Sequence, residues 1–499
     1  MNKGLILVHE HDDAAIALAD LSRGETYQVA GQSVTLLDDI PFGHKVALRD
    51  ISSGDKVIKY GNPLGHATQD IRIGQHIHTH NMATNLSGHI NYTYTPDQKA
   101  LERFLEPTAS AVFQGYPRPD GRAGTRNELW IVPTVGCVNQ TAQRLAAEAK
   151  RRFASRFDDV CAFPHNLGCS QLGDDQATTM KLLAGLIRNP NAGGVLVLSL
   201  GCENNNLEVF RPYLGDVDPN RIKFLVTQDV EDEYEAEMAL LEELDKAVGG
   251  MARRPVPVSK LSIGFKCGGS DAFSGLTANP LCGRLCDRVI QAGGSCVLTE
   301  VPEMFGAEHL LMARCVNEGV FAQTVDLIND YKDYFTRYGQ VIYENPSPGN
   351  KAGGISTLEE KSLGCVQKGG SAPVTGVLGY GDPIIQPGLN LLTGSGNDQV
   401  SCTNLVCSGA TLICFTTGRG NPFGAPVPTV KVASNGDLFR RKPHWIDYNA
   451  GQVLEGSNWA DMEEDFFRYL LSVASGEQHA RNEENGYKEI SIFHDGVIL

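Results

Sequence analysis

The chain has 499 residues, 41% hydrophobic and 20% charged, with a formal net charge of −16. That composition is globular, and the length accommodates about two to four domains. The acidity, with no basic stripe to offset it, argues against non-specific nucleic-acid binding but leaves room for a local basic pocket that takes an anion. The N-terminus, MNKGLILVHEHDD, is too briefly apolar for a signal-peptide core, and no stretch approaches the roughly 18 apolar residues of a membrane helix. A cytoplasmic protein, neither membrane-bound nor nucleic-acid-bound, is the expectation. Thirteen cysteines in that setting suggest buried thiols, metal ligands or catalysis rather than disulfides.

In chain order, residues 1–95 carry short alternating segments at Tyr27–Val29, Ser33–Leu36, Lys45–Leu48 and Lys56–Lys59, separated by Gly, Pro and Asp turns. This is the pattern of a small all-β module, with one short helix expected at Ala14–Asp20. The module ends in GQHIHTHN. On a strand His76, His78 and His80 fall on one face, and imidazole is a common neutral metal ligand. A solvated edge strand is the alternative. His44 and Lys45 follow a Pro-Phe-Gly turn.

Residues 96–115 read as a linker with a short helix. From 116 to 250 strands alternate with helices, which implies a mostly parallel sheet covered by helices. The apolar run in GGVLVLSLGCENN (Gly193–Asn205) suits a strand buried on both faces. Cys137, Cys169 and Cys202 all stand at strand exits, where open α/β sheets bind ligands. A Pro-rich connector, MARRPVPVSK, precedes a second α/β block over 258–499. The fold class is thus α/β, an all-β module followed by two blocks with mostly parallel sheets.

The strand exits of the last block carry several candidates. Ser270 and Asp271 lie in a glycine-softened turn suited to an oxyanion, although such turns also serve only to reverse the chain. Arg419, between glycines in FTTGRG, suits bidentate carboxylate binding, and Asn350 and Lys351 sit in a long Gly- and Pro-rich loop. Each of these cations is equally an ordinary surface residue. Glu300 and Glu303 are acid/base or metal groups, or salt-bridge partners. Cys282, Cys286, Cys402, Cys407 and Cys414 read as core thiols. No GxxxxGK[ST] loop, GxGxxG or GxSxG occurs, which disfavours nucleotide chemistry and an α/β-hydrolase nucleophile.

The stretches PFGHKVALRDI, GQHIHTHN, GTRNELWIVPTVGCVN, GCSQLGDD, LGCENN, CGGSDAFSGLTANP, TEVPEMFGAE, NPSPGNKAGG and FTTGRGNPFG together resemble the altronate/galactarate dehydratase family over essentially the whole chain. The resemblance implies an N-terminal SAF (β-clip) domain and metal-dependent dehydration of a sugar acid with Fe²⁺ or Mn²⁺. The histidine series resembles the altronate branch. Within that reading His44, Lys45 and Glu203 are the expected proton-transfer groups. His76, His78, His80 and Cys202 are the expected metal ligands, and Ser270, Asp271, Asn350, Lys351 and Arg419 would hold the substrate. A homo-oligomer is expected, with the module closing over the strand exits. An iron–sulfur dehydratase using Cys137, Cys169 and Cys202, and a non-catalytic sugar-acid sensor, are the alternatives from other classes.

Overall fold

A computed structural model describes residues 4–104, 111–153 and 155–499. Alternation of buried and exposed side chains, as at Tyr27 and Val29 in the strand Thr26–Val29, folds the N-terminal segment into short antiparallel strands. Leu5–Ile6, Ala14–Ala17, Lys45–Ala47 and His76–Ile77 form one sheet. A second sheet joins Lys56–Lys59, Asn62–Ala67 and Met82–Ala83, and Thr26–Val29 and Gln32–Thr35 make a hairpin. The helix expected at Ala14–Asp20 is instead a strand. Alanines favour helix, but every side chain of Ala14–Ala17 is buried between neighbouring strands, so tertiary pairing overrides propensity.

The strands of the two parallel sheets are numbered here in chain order. The middle block supplies β1 (Glu128–Pro133), β2 (Val160–Ala162), β3 (Ala192–Ser199) and β4 (Ile222–Val226), in the order β2-β1-β3-β4. All eight residues of β3 are buried, as its unbroken apolar run predicts. The last block supplies β5 (Ser262–Cys267), β6 (Ser295–Leu298), β7 (Val374–Leu378), β8 (Gly388–Leu392), β9 (Leu412–Thr417), β10 (Thr429–Ala433) and β11 (Tyr448–Asn449). Their order is β7-β8-β6-β5-β9-β10-β11, parallel throughout.

The segment 96–115 is not a linker throughout. It holds the helix Gln98–Glu102, its residues 105–110 lie outside the described residues, and residues 112–115 pair antiparallel with 254–257 of the Pro-rich connector. Entry and exit of the middle block are therefore joined in a strand-paired neck. Pro255 and Pro257 are tolerated because Arg254–Pro257 is an edge strand.

Space does not follow chain order. The N-terminal module packs on the last block, and one continuous core contains Ala47, Val57, Leu64 and Ile77 of the module with Leu358 and Leu363 of the block. A second core joins the two α/β blocks through Trp130 and Val197 on one side and Leu405 and Phe415 on the other. Buried polar groups lock the module in place. Lys45 and Lys59, both fully buried, share the carboxylate of Glu360 at 2.8 Å each, Thr84 donates to Glu359, and Thr357 donates to Leu64 O at 2.6 Å.

Candidate functional site

In the last sheet the chain leaves β5 first toward β6 and later returns on the other side as β9. Open α/β sheets bind ligands at such a switch, beyond the carboxyl ends of the strands. A cavity of about 400 Å³ lies there, large enough for a six-carbon acid. Asp271 and Phe273 follow β5, Gly418 and Arg419 follow β9, and Asn435 and Arg441 follow β10. Its remaining wall is the N-terminal module, where Phe42 stacks on Phe273 with centroids 4.6 Å apart and Gly43 lies against the Gly353 carbonyl. The glycine at 418 has a steric reason, since a Cβ there would collide with the Asp271 carboxylate.

The histidines converge beside this wall. Only His76–Ile77 is strand; a turn carries His78 and His80 onward, pinned by Asn81, which accepts from His78 N and donates to His76 O. The rings of His76 and His78 lie 5.1 and 4.8 Å from that of His44, and His80 packs on His76 at its exposed rim. His44 Nε2 faces the Ala352 carbonyl at 3.4 Å, and a carbonyl only accepts, so the proton sits on Nε2. His44 Nδ1 then receives a hydrogen bond from His76 Nε2 at 2.9 Å. Burial, reinforced by Lys45 and the neighbouring rings, pushes His76 down to about 4 and His78 to about 3, and burial also lowers His44. His44, His76 and His78 are thereby held neutral at pH 7, the state in which imidazole acts as a base or ligand.

The two nitrogens 2.9 Å apart are spaced as neighbouring ligands of one ion, which would replace their shared proton. Neutral imidazole donors suit iron among the transition metals. Among the described residues the histidines do not complete a set of three donors around a single point. They offer an ion a pair and leave its other positions open.

The proton balance gives a test of this packing. An unfolded chain takes up protons on His76 and His78 below about pH 6.5, whereas the folded protein resists until about pH 4. The unfolded state binds more protons in that window, so stability of the metal-free protein falls as pH drops through it. Urea unfolding midpoints measured across this range should decline, and the decline should flatten in a His76→Ala/His78→Ala variant.

The other expected residues fall into distinct positions. Asp271 borders the cavity, its carboxylate accepting from Ser434 Oγ at 2.8 Å and Asn435 Nδ2 at 3.0 Å, with burial raising its pKa. Arg419 is exposed at the cavity with no side-chain partner among the described residues. Ser270 is buried behind it, its hydroxyl unpartnered. Asn350 does not face the cavity. It donates to Ser270 O at 2.7 Å and accepts from Lys361, so it holds the Ser270 turn in place. Lys351 does not line the cavity, although its neighbours Ala352 and Gly353 do.

Lys45 is fully buried and donates to Glu360, to Gly354 O and to Ser356 Oγ at 2.8 Å; Ser356 Oγ also bonds His78 Nδ1 at 2.8 Å. Burial, against the opposing charge of Glu360, brings Lys45 down to about 8. Lys45 does not line the cavity, and the structure links it to the histidine face through Ser356 and His78. Glu203 and Cys202 lie in the middle block, apart from the histidines. Glu203 is buried and accepts from Thr134, Ser199, Leu200 N and Gly201 N. Burial would raise its pKa, but the Ser199 and Thr134 hydroxyls outweigh it. A carboxylate so fully occupied shapes its loop instead of moving protons, and Cys202, bonded by Gln228 Nε2 at 3.5 Å, does not join the histidine face.

Beneath the cavity is a charged nest that sequence reasoning did not assemble. Glu300 pairs with Lys266 and Lys368, Glu303 with Lys361, and Cys267 and Cys365 both donate to Glu303 Oε2 at 3.0 Å. Of the two open readings for Glu300 and Glu303, the salt-bridge reading describes this packing. Three ammonium groups already neutralise the two carboxylates. Glu300 also adopts a left-handed conformation, φ 69°, which is uncommon for a non-glycine residue. The spacing TEVPE after a strand was the one available signal. Cys282, Cys286, Cys402, Cys407 and Cys414 are buried core thiols, as expected.

An antiparallel module clasped over the switch point of a parallel sheet, with imidazoles and an unpaired arginine around a polar cavity, defines an enzyme for small oxygen-rich anions. The chain belongs to the D-galactarate/altronate dehydratase family. Residues 3–85 match the altronate/galactarate dehydratase SAF domain, 115–249 the second domain of D-galactarate dehydratase/altronate hydrolase, and 258–498 the C-terminal domain of D-galactarate/altronate dehydratase. Over the full length of both chains it is 52% identical to the altronate dehydratase of Bacillus subtilis. It is 49% identical to the altronate dehydratase of Escherichia coli, over 99% of each chain. The galactarate dehydratase (L-threo-forming) of Escherichia coli is 32% identical, over 99% of this chain and 97% of its own. No helix of the described residues is long and apolar enough to cross a membrane.

Proposed function

We propose that this protein is a hydro-lyase that converts D-altronate to 2-dehydro-3-deoxy-D-gluconate and water, in the cytoplasm and as a homo-oligomer, with Fe²⁺ or Mn²⁺ at the histidine face. The observation that carries this reading is the paired His44 and His76 beside a cavity that presents Arg419. Near 50% identity to altronate dehydratases over the whole chain supports the substrate.

Dehydration breaks the C2–H bond, forms C2=C3 with that electron pair, and expels the C3 hydroxyl, which leaves as water; the enol then tautomerises to the 2-keto acid. The C2 proton is poorly acidic until negative charge on the carboxylate is stabilised. Arg419 is placed to bind that carboxylate bidentately. The neutral His44–His76 pair accepts the C2 proton and returns it to the leaving hydroxyl, while Asp271, accepting from Ser274, Ser434 and Asn435, holds the exit of β5 at the cavity. Where a divalent ion is held by His44 and His76 it would stabilise charge on the carboxylate, and the neutral His78 beside them would take the place of the pair as acceptor of the C2 proton.

The test is a semicarbazide assay for 2-keto acid, run on protein supplied with Fe²⁺ or Mn²⁺ against altronate, galactarate, mannonate and sulfolactate. Product is expected from altronate in preference to the others. Preferential turnover of galactarate or sulfolactate would overturn the substrate, and no product from any of the four would overturn the activity.

A further inference from the structure

The middle sheet has a switch point of its own, and it is furnished differently. From β1 the chain passes to β2 on one side and returns as β3 on the other, so the crevice beyond β1 and β3 is where an open α/β sheet takes a ligand. Each of the three adjacent strands β2, β1 and β3 is followed by one cysteine: Cys169, Cys137 and Cys202. These are the exposed thiols of the chain among the described residues. Cys161 is half-buried and the other nine are buried. Free thiols scattered by chance over a surface would not all fall on one edge of one sheet.

The three loops are built as a unit. Gly136 N donates to Leu167 O at 3.0 Å, Asn205 N to Gly168 O at 3.0 Å, and Ser170 N to Asn204 Oδ1 at 2.7 Å. Asn205 Nδ2 reaches Thr134 O at 3.0 Å, and the buried Glu203 carboxylate ties Thr134 to Ser199. Residues on either side of every cysteine are thus fixed to a neighbouring loop while the thiols stay outside. Ser170, next to Cys169, is held in a left-handed conformation, φ 59°, a strain that the surrounding bonds sustain. A helix begins just after each loop, at Asn139, Gly173 and Leu207, and helix N-termini favour an anionic ligand.

The donor set selects the ligand. Cys137, Cys169 and Cys202 are three free thiols carried by three separate loops. Soft thiolates select zinc, copper(I) or an iron–sulfur cluster, and three of them from three loops suit a cluster, in which each binds a different iron. We propose that the carboxyl edge of the middle sheet binds a [4Fe–4S] cluster through Cys137, Cys169 and Cys202. Three thiolates on four irons leave one iron open to a hydroxyl or carboxylate oxygen. This site is independent of the histidine face and of the substrate assigned there.

The full chain, purified without oxygen and reconstituted with ferrous iron and sulfide, should hold about four iron and four acid-labile sulfide per chain. It should also show a sulfur-to-iron absorption band in the visible and an electron-spin signal on reduction. Cys137→Ser, Cys169→Ser and Cys202→Ser should each lose the sulfide and the band while keeping the wild-type circular dichroism, because these side chains pack against little. Cys161→Ser, in the same block, should keep both. Protein that binds iron without sulfide, that takes up zinc alone, or whose sulfide survives all three substitutions would overturn the proposal. None of those results bears on altronate turnover at the histidine face, which is read by product formation.

Discussion

Glu360→Gln is expected to destabilise the protein by about 3–5 kcal/mol, because it leaves two buried ammonium groups without the one carboxylate that pairs with them among the described residues. Glu360 is 2% exposed and its partners Lys45 and Lys59 are 0% and 1% exposed. Burial alone would raise the pKa of this carboxyl; Lys45 and Lys59 outweigh it and bring it down to about 2. The group also joins two parts of the molecule, since both lysines belong to the N-terminal module. Loss of protection should therefore be local before it is global. Hydrogen exchange should accelerate at 45–47 and 56–59 ahead of the strands of the middle sheet, with a lowered urea midpoint. A wild-type midpoint in this variant would show that the ion pairs contribute nothing net. Replacing all three charges by apolar residues of matched volume should recover much of the loss, because a buried ion network is costly chiefly when one partner is removed.

His44→Ala is expected to lower kcat by about 10² to 10⁴, the range for loss of a positioned base. His44 is the imidazole that touches both the His76 nitrogen and the Ala352 carbonyl, next to cavity residues on each side. Its removal takes away half of the nitrogen pair, whether that pair accepts the proton or holds an ion. Metal content and turnover measured on the same sample separate these roles. Loss of both assigns His44 to ligation, and loss of turnover with metal retained assigns it to proton transfer. Lys45→Met removes the bond to Ser356 and the positive charge that lowers His44, His76 and His78, so it should move the pH profile of turnover more than substrate affinity. Unchanged activity in His44→Ala would remove the histidine face from the reaction.

Much of this architecture was legible in residue order. The continuous apolar run before GCENN marks a doubly buried strand without ambiguity, and β3 is that strand. The alternation at Tyr27–Val29 and the Gly turns around it specify a β module for equally local reasons. Parts that depend on distant partners were not legible. Ala14–Ala17 reads as helix because nothing nearby reveals the strands on either side. Glu360, inside LEEKSLGC, looks like one charge on an exposed helical face, and its lysines lie 315 and 301 residues away. Glu203 was an attractive proton carrier by its place at a strand exit. The structure surrounds its carboxylate with four donors, three of them from its own strand and loop. Residue type and strand-exit position identify candidates, and burial and hydrogen-bond saturation then divide them into groups that meet substrate and groups that hold those in place.

The central claim is that substrate binds at the switch point between β5 and β9, under the N-terminal module. A crystal structure with an unreactive altronate analogue lacking the 3-hydroxyl tests it most directly. The account predicts the analogue's carboxylate within hydrogen-bond distance of Arg419 and its C2 facing His44. Density for the analogue at the carboxyl edge of the middle sheet, with the cavity beside Arg419 holding only solvent, would contradict it.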